Sequence, residues 1–345
     1  MKMLKPLHFV RLLSVVVTLA FLTACSCGNC SVPSLHTLPT PPGATPTPPG
    51  VVPTPIVTPT PTVPATPAPT PLPIAACTQG GPSTIAFGLA APFALLGAGG
   101  ITNTGNMFVT YATGATSTNI YGTFNDDLIG AYPTTTVTGI TGGNTAGGAT
   151  AIYATGYNSN TAFLTGAQNA VTAAYNAADA EAPTAPTFGG GYDLSQVPVG
   201  YSGVANCGPT GTSVCGLGVL GAGVYKSAST MSITAGSLTL DGGGNPESVF
   251  VFQIGSALTM AAPGGNMILV NGANPCNIYW ADYSGATLGG VATGASFFGN
   301  IIAPTGAIAF TTPIHAFGGR ALAGGAGITI SAPTTGLIIT NPGGN

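Results

Sequence analysis

Residues that could perform chemistry are scarce along the 345 residues of this chain. The sequence contains 3 His, 8 Asp and Glu and 5 Lys and Arg, so 4% of it is charged, against about 25% in ordinary soluble domains. Asp126 and Asp127 are the only adjacent acidic pair, and on a strand their side chains would point in opposite directions. We therefore expect no enzymatic activity, no metal site and no cofactor.

The low charge also restricts the partners that the chain can bind. With so few Lys and Arg, it cannot neutralise a run of phosphates, and we expect no binding to nucleic acid. An acidic, disordered protein is excluded as well, because 45% of the residues are hydrophobic and the mean hydropathy is +0.45. Glycine, at 53 residues, and other small residues dominate instead.

The N-terminus carries a targeting signal. Basic residues precede an apolar run at 12–22, which is too short to cross a bilayer and is typical of a secretory signal. The run ends in Leu22-Thr23-Ala24-Cys25, which resembles the lipobox of bacterial lipoproteins. The resemblance implies that residues 1–24 are removed and that Cys25 is lipidated. Ser26 follows it, so we expect a protein anchored at the outer cell surface, on the outer membrane if the source is Gram-negative. The alternative is an ordinary signal peptide.

A tether follows the anchor. Residues 31–75 contain 16 prolines and 10 threonines, a composition that favours extended polyproline II and predicts no packed domain. We therefore assign 25–75 to the lipidated cysteine and a disordered linker. A ligand for a proline-binding module is the alternative, although the repeats lack flanking basic residues.

The cysteines agree with an exported protein. Cys207 and Cys215 flank a short Gly-, Pro-, Ser- and Thr-containing segment, which predicts a disulfide that closes a loop. The state of the other four cysteines beyond the anchor is left open by the sequence. These are Cys27, Cys30, Cys77 and Cys276.

Residues 76–345 are predicted to form one domain built mainly from β-strands. Short alternating apolar segments are interrupted by Gly, Pro and Asn, and the segment 299–310 matches the segment 319–330. The two segments are 20 residues apart. Continuing backwards from Ile308, Leu288, Leu258 and Leu238 follow at intervals of 20 or 30 residues. A period of this kind predicts a solenoid. A β-sandwich with accidental spacing is the alternative.

One segment has a different pattern. Residues 161–180 are rich in Ala, contain no Pro, and place small and apolar residues at i, i+4, i+7, i+8, i+11 and i+15. Pro183 and Pro186 follow. The pattern predicts a single helix that packs its small-residue face on a sheet.

Several motifs resemble those of the microbial ice-binding (antifreeze) protein family. They occur in that family's order and extend over most of 85–340, while residues 120–150 depart most from its pattern. The motifs lie at 89–96, 100–105, 238–241, 249–256, 276–280, 298–301 and 319–323. The resemblance implies a right-handed, discontinuous β-solenoid of triangular section, with about 20 residues per coil and one long helix alongside. It also implies a monomer that adsorbs to ice, without reaction or cofactor.

Outward Thr and Ser residues on the repeated strand are the candidates for an ice-binding face. Stacked strands lie roughly 4.8 Å apart, so these side chains would form a regular array with little charge. The array is interrupted at Ala307 and Ala309. The candidates are Ser237, Thr239, Thr259, Thr287, Thr311, Thr329 and Ser331.

A second function is compatible with the same architecture. A surface adhesin or carbohydrate-binding lipoprotein would also use a lipid anchor, a stalk and a β-solenoid. It would require exposed aromatic rings to form a binding platform. The tyrosines that could supply them are Tyr111, Tyr121, Tyr132, Tyr153 and Tyr157.

Overall fold

The computed structural model describes residues 85–343, except for 113–114, 185–186, 199–215, 291–293, 312–313 and 332–335. The chain divides into two units, Met1–Val63 and Pro64–Asn345, and all described residues belong to the second. The predicted signal peptide, Cys25 and the Pro/Thr-rich linker therefore lie outside the described residues. Cys207 and Cys215 lie outside them as well.

The described residues form 25 strands, one α-helix and five short 3-10 helices. The first half of the strands are β1 (Phe93–Gly97), β2 (Ile101–Asn103), β3 (Met107–Tyr111), β4 (Thr116–Asn119), β5 (Gly122–Asn125), β6 (Leu128–Ala131), β7 (Val137–Thr138), β8 (Ile152–Tyr153), β9 (Tyr192–Asp193), β10 (Val219–Gly221), β11 (Gly223–Ser227) and β12 (Met231–Ile233). The others are β13 (Ser237–Asp241), β14 (Phe250–Ile254), β15 (Leu258–Met260), β16 (Asn266–Val270), β17 (Ile278–Asp282), β18 (Gly285–Leu288), β19 (Ala295–Phe298), β20 (Asn300–Ala303), β21 (Ala307–Phe310), β22 (Ile314–Gly318), β23 (Ala321–Ala323), β24 (Ile328–Ile330) and β25 (Leu337–Asn341). The 3-10 helices are Gly88–Ala90, Gly142–Asn144, Gly148–Ala151, Leu194–Gln196 and Pro275–Asn277.

The strands form parallel sheets, with a small antiparallel hairpin of β4 and β5 in addition. The helix-side sheet has eight strands in the order β11-β14-β17-β20-β23-β1-β6-β8. The open sheet also has eight, in the order β9-β12-β15-β18-β21-β24-β2-β7. Two smaller sheets, β10-β13-β16 and β19-β22-β25-β3, complete the arrangement. The prediction of a mainly β protein with parallel strands is confirmed.

The predicted register is confirmed in one part of the chain and wrong in another. Ile301 pairs with Ala321 and Ile308 pairs with Ile328, which is the offset that the sequence repeat predicts. Farther back, Leu258 pairs with Ala286, and Leu288 pairs with Phe310. Leu238 pairs with Met267 on a different sheet. The fixed interval fails there because the connections between successive strands vary in length.

The main core receives side chains from all of the parallel sheets. Aromatic rings stack along it in register with the strands. Tyr225, Phe252 and Trp280 occupy paired positions on three neighbouring strands, and the centroids of Phe252 and Trp280 are 4.0 Å apart. The indole Nε1 of Trp280 donates to the carbonyl of Phe298 at 2.9 Å, so its one polar group is satisfied inside the core.

The α-helix, α1 (Thr161–Ala180), has the predicted bounds. Asn160 caps it, because its side-chain oxygen accepts from the backbone N–H of Phe163. The helix packs on β14, β17 and β20 of the helix-side sheet. Three of its six buried positions are Ala, which allows a close approach, while Phe163 packs in an aromatic cluster with Phe93 and Phe124. The predicted packing of a small-residue helix on a sheet is confirmed.

A buried arginine links the segment just before β1 to strands of the helix-side sheet that come late in the chain. Arg320 is fully buried, and its Nε donates to the carbonyl of Ala91 at 2.8 Å, just before β1. Its Nη1 donates to the Asn300 side chain at 2.9 Å, and its guanidinium lies 4.7 Å from the ring centroid of Phe87. Burial lowers the pKa of Arg320 to about 10, and the carboxylate of Asp126 acts against that change. The guanidinium therefore keeps its charge at neutral pH.

A buried carboxyl holds the corner between the helix-side sheet and the open sheet. Asp282 ends β17, and its oxygens accept from the backbone N–H groups of Leu258 at 3.2 Å and Gly285 at 3.1 Å. Gly285 has φ +106°, and a Cβ there would lie 2.2 Å from the carbonyl oxygen of Ala307, so only glycine fits. Burial raises the pKa of Asp282 to about 7, although these hydrogen bonds act to lower it.

We expect the stability of the fold to fall as the pH rises from about 4 to about 7. In this window the unfolded chain loses the proton of Asp282, whereas the folded protein retains it. The full shift corresponds to roughly 4 kcal/mol. Urea unfolding at acidic and neutral pH should show that Asp282→Asn loses this part of the pH dependence.

The matched control is Asp193→Asn, because hydrogen bonds hold the pKa of Asp193 below its ordinary value despite its burial. Asp193 is therefore ionised in both the folded and the unfolded state above about pH 5, and its replacement should leave the slope between about pH 5 and 7 unchanged. Identical slopes for the wild type and Asp282→Asn would contradict the assignment.

Candidate functional site

The outward side of the open sheet presents one side chain per strand in a continuous row. Because the strands are parallel and in register, each of these residues pairs with the next one along the sheet. We call this row the outward ladder. Its members, in spatial order, are Asp193, Ser232, Thr259, Thr287, Ala309, Thr329, Thr102 and Thr138.

The ladder is polar but carries almost no charge. Thr287, Thr329, Thr102 and Thr138 are exposed, and the residues on either side of each of the first three along its strand are buried apolar groups or a buried Asn. The one ionisable member is Asp193, on the terminal strand β9. Between the two ends, the sheet therefore exposes a flat strip of methyl and hydroxyl groups.

The threonine hydroxyls of the ladder are available to water. Among the residues that the structure describes, no hydrogen bond is formed by the hydroxyls of Thr102, Thr138, Thr259, Thr287 and Thr329. A hydroxyl without a protein partner at an exposed position must satisfy its donor and acceptor capacity with solvent. The ladder thus presents hydroxyls on strands about 4.8 Å apart, with one gap at Ala309 between Thr287 and Thr329.

A second row, the flanking column, runs beside the ladder and orients its hydroxyls differently. It lies just beyond the C-terminal end of each strand, two residues after the ladder residue, and its members are Thr234, Ala261, Gly289, Thr311, Ser331 and Thr104. Thr311 Oγ1 donates to the carbonyl of Leu288 at 3.1 Å, and Ser331 Oγ donates to that of Phe310 at 3.3 Å. These hydroxyls are turned towards the backbone of the neighbouring strand, so they stabilise the sheet edge.

The terminal carboxylate of the ladder is fully engaged. Asp193 accepts from the hydroxyls of Ser195 and Thr234, each at 2.6 Å, and from the backbone N–H of Ala235 at 2.9 Å. Burial acts to raise the pKa of Asp193, but these hydrogen bonds outweigh it and the pKa lies below its ordinary value. The charge therefore closes the end of the sheet and is not displayed along the strip.

Five of the seven predicted site residues lie on this side of the open sheet. Thr259, Thr287 and Thr329 belong to the ladder, and Thr311 and Ser331 belong to the flanking column. The prediction that Ser237 and Thr239 share this face is wrong. Both lie on β13, in a three-stranded sheet, where the neighbours of Thr239 are Val219 and Ile268.

Three hydroxyl-bearing residues of the ladder are absent from the candidates that the sequence suggested. Ser232 sits in a Met-Ser-Ile pattern, and its separation from its partner Thr259 is longer than the expected period allowed. Thr102 sits in an Ile-Thr-Asn pattern that resembles Ile328-Thr329-Ile330, but its partner Thr329 belongs to the opposite end of the domain sequence. Thr138 pairs in turn with Thr102. The signal that could have found them is the repeated apolar-hydroxyl-apolar triplet, whatever its spacing.

The other candidate groups do not form a site. Tyr121 and Tyr153 pack against Phe163 of α1, so they do not provide an open platform. Asp126 and Asp127 are both buried. In the part of the chain that the structure describes, no three His, Cys, Asp or Glu side chains are close enough to hold a metal ion, and no helix there is long and apolar enough to span a membrane.

Cys276 is the one cysteine among the described residues, and it is disulfide-bonded. Its partner therefore lies outside them. The predicted pairing of Cys207 with Cys215 remains a prediction.

The fold and the ladder define a class of protein: a parallel β-protein with one packed helix, which exposes a regular, nearly uncharged row of mostly hydroxyl-bearing side chains. The Ice-binding-like family matches residues 95–335. This match covers more than half of the chain, and the chain belongs to this family.

Known proteins agree with this assignment. Over 121 residues the chain is 40% identical to an ice-binding protein of Nostoc sp. (strain HG1), a match that covers 35% of this chain and 42% of that protein. Over 81 residues it is 38% identical to ice-binding protein 1 of Shewanella frigidimarina, covering 24% of this chain and 9% of that one. The matched part is thus less than half of either relative.

A solved structure has a similar fold over a longer stretch. The DUF3494 domain of Shewanella frigidimarina ice-binding protein_1 superimposes with a TM-score of 0.55 at 26% identity. The superposition covers 76% of this chain and 99% of that one. The resemblance to the ice-binding family that the motifs indicate is therefore confirmed.

Hydroxyls of the flanking column bond the backbone, whereas those of the ladder face solvent. Removing them should therefore lower the free energy of unfolding by different amounts. Thr311→Val removes the hydrogen bond to Leu288 and should lower the free energy of unfolding by about 1 kcal/mol. Thr287→Val removes a solvated hydroxyl and should change it by less than about 0.5 kcal/mol. Urea unfolding of the two isosteric variants makes the comparison, and equal costs would contradict the assignment.

Proposed function

We propose that this protein binds ice through the outward ladder and flanking column of the open sheet. The observation that supports this most directly is the in-register row of exposed, solvated threonine hydroxyls. Thr259, Thr287, Thr329, Thr311 and Ser331 remain the proposed site, now joined by Thr102. Ser237 and Thr239 are not part of it.

The chemistry of this face suits an ordered layer of water. Charged side chains hold their own hydration shells tightly, and between its two ends the ladder has none. Threonine has a stiff χ1, so little side-chain entropy is lost when water orders against it. Methyl groups between the hydroxyls leave the adjoining water without competing hydrogen-bond partners.

We further propose that the parallel sheets are the faces of a right-handed solenoid of triangular section, as the family resemblance implies. The sequence separation between paired residues is shortest towards the C-terminus, as between Ile308 and Ile328. It is longer around β12, β15 and β18, as between Ser232 and Thr259. This spacing supports coils of about 20 residues or somewhat more. The activity would take the form of ice adhesion, inhibition of recrystallisation or depression of the freezing point, by a monomer without a cofactor.

The N-terminal sequence supports a cell-surface location. We propose that residues 1–24 are removed as a signal peptide, that Cys25 carries lipid, and that 25–75 hold the ice-binding domain, 76–345, away from the outer membrane or cell surface. A tethered protein would hold a cell to ice, because every molecule remains attached to the cell that made it. The lipid would be its one contact with the membrane.

The proposed face is tested by placing a larger side chain at one of its positions. In the full-length protein, Thr287→Tyr should reduce incorporation into a slowly grown ice shell by at least about 3-fold, because the larger ring separates the flat surface from ice. Thr239→Tyr on the three-stranded sheet and Thr172→Tyr on the helix are matched controls, and both should leave incorporation unchanged. Equal loss in all three variants would overturn the choice of face.

If the wild-type protein is folded but is excluded from ice, the proposed function itself is wrong. Far-ultraviolet circular dichroism and the thermal midpoint of each variant separate a loss of binding from a loss of folding. The same preparations serve for both measurements.

Lipidation is tested by Cys25→Ser in a bacterial host fed with labelled palmitate. The label should be lost from the protein, which should then leave the detergent-extracted membrane fraction. Cys27→Ser, at the next cysteine along the chain, is the matched control and should keep both the label and the membrane location. Retention of the label in Cys25→Ser would show that the lipid is attached elsewhere.

A further inference from the structure

A cleft lies beside the C-terminal half of α1, where the chain passes from the helix-side sheet towards the open sheet. Its volume is about 410 Å³, which falls within the range of small-molecule sites, roughly 300–1,000 Å³. The strands that line it, β11 and β14, belong to the helix-side sheet, as does β17, after which Tyr283 follows. The lining residues that matter for its chemistry are Tyr175, Asp179, Lys226, Gln253 and Tyr283.

The cleft contains the one cationic side chain of the described domain that reaches solvent. Beyond residue 11 the sequence has only Lys226 and Arg320 as basic residues, and Arg320 is fully buried. Lys226 Nζ lies 3.4 Å from Asp179 Oδ1, with the two side chains 40% and 47% exposed. The cleft therefore offers an ammonium and a carboxylate side by side, with no net charge from the pair.

Two tyrosine rings form its aromatic side. The centroids of Tyr175 and Tyr283 are 6.3 Å apart at an interplanar angle of 54°, and Tyr283 is 49% exposed. Burial raises the pKa of Tyr175 to about 12, and the negative charge of Asp179 adds to this effect. Tyr175 therefore keeps its hydroxyl proton and remains a hydrogen-bond donor at neutral pH.

The floor of the cleft is rigid. Gln253 of β14 is buried, and its Nε2 donates to the carbonyls of Ala178 and Glu181 at 2.9 and 2.7 Å. These bonds fix the end of α1, which carries Asp179, to the strand beside Lys226. The opposing groups are thus held on a helix and on neighbouring strands, which is the arrangement that a preorganised binding site requires.

We propose that this cleft binds a neutral saccharide. Adjacent sugar hydroxyls both donate and accept, so one pair can bond the Asp179 carboxylate and the Lys226 ammonium together. The C–H face of a pyranose ring can pack on the exposed ring of Tyr283. An anionic ligand is disfavoured, because it would meet the Asp179 carboxylate.

The inference goes beyond ice binding and does not depend on it. The cleft and the outward ladder use different sheets, so one molecule can engage a saccharide and another surface at the same time. Such a protein would hold extracellular or cell-surface polysaccharide next to its second ligand. None of the tyrosines that the sequence suggested for an adhesin platform lines the cleft.

The test is saturation-transfer difference NMR on the full-length protein. The probes are the methyl glycosides of glucose, mannose and galactose, with sodium glucuronate as the charged arm. We expect saturation of the ring protons of at least one neutral glycoside, and a signal at least about 3-fold weaker with Tyr283→Ala and with Asp179→Asn. Tyr157→Ala, which removes a partly exposed tyrosine outside the cleft, is the matched control and should keep the wild-type signal.

Thermal unfolding midpoints confirm that each variant is folded, and ice incorporation gives an independent readout of the other face. Loss of saccharide binding with unchanged ice incorporation supports a separate site. The proposal is overturned if no neutral glycoside is saturated, if glucuronate alone binds, or if folded Tyr283→Ala and Asp179→Asn bind as well as the wild type. A failure of wild-type ice incorporation bears on the proposed function and leaves the saccharide result intact.

Discussion

The parallel, in-register pairing of neighbouring strands is the constraint on which the rest of this structure depends. It converts each position along a strand into a column that runs across the sheet. Inside, the column through Tyr225, Phe252 and Trp280 becomes a continuous stack of rings. Outside, the column through Thr287 and Thr329 becomes a strip of hydroxyls. The regular spacing of this surface is thus a consequence of backbone pairing, and a substitution changes one site in it without changing that spacing.

The sheets must also hold together where neighbouring strands are far apart in the sequence. The strands β1 and β2 come early in the sequence, yet they pair with β23 and β24 from its end. Arg320 secures this junction, because a buried guanidinium bonded to the Ala91 carbonyl and to Asn300 would lose its partners if the two ends separated. Parallel pairing of β2 with β24 makes the ladder continuous from Thr329 to Thr102. The same junction thus carries both the buried guanidinium and part of the exposed row.

Much of this fold could be read from the sequence wherever a local pattern carries the information. The helix has the expected bounds because its Ala-rich period, its Asn160 cap and its following prolines are all local features. The repeat that relates 299–310 to 319–330 is visible in the sequence because two similar segments follow each other closely and pair with each other. The misplacement of Thr239 has the opposite cause: Leu-Thr-Leu on β13 and Leu-Thr-Met on β15 have the same alternation, and only pairing distinguishes their sheets. Thr102 was missed because Thr329, with which it pairs, is remote in the sequence, and only the tertiary structure brings the two together.

The scarcity of charge has a structural explanation as well as a functional one. Three buried carboxyl groups accept hydrogen bonds from backbone N–H groups near strand ends and corners: Asp127 from Gly147, Asp241 from Gly243, and Asp282 from Gly285. Because these carboxyl groups lie inside the fold, they add no charge to its surface. Water on the outward side of the open sheet is then bound mainly by hydroxyl groups, which are hydrated less strongly than charged groups. The low content of charged residues therefore leaves methyl and hydroxyl groups as the main chemistry that the outward ladder presents to water.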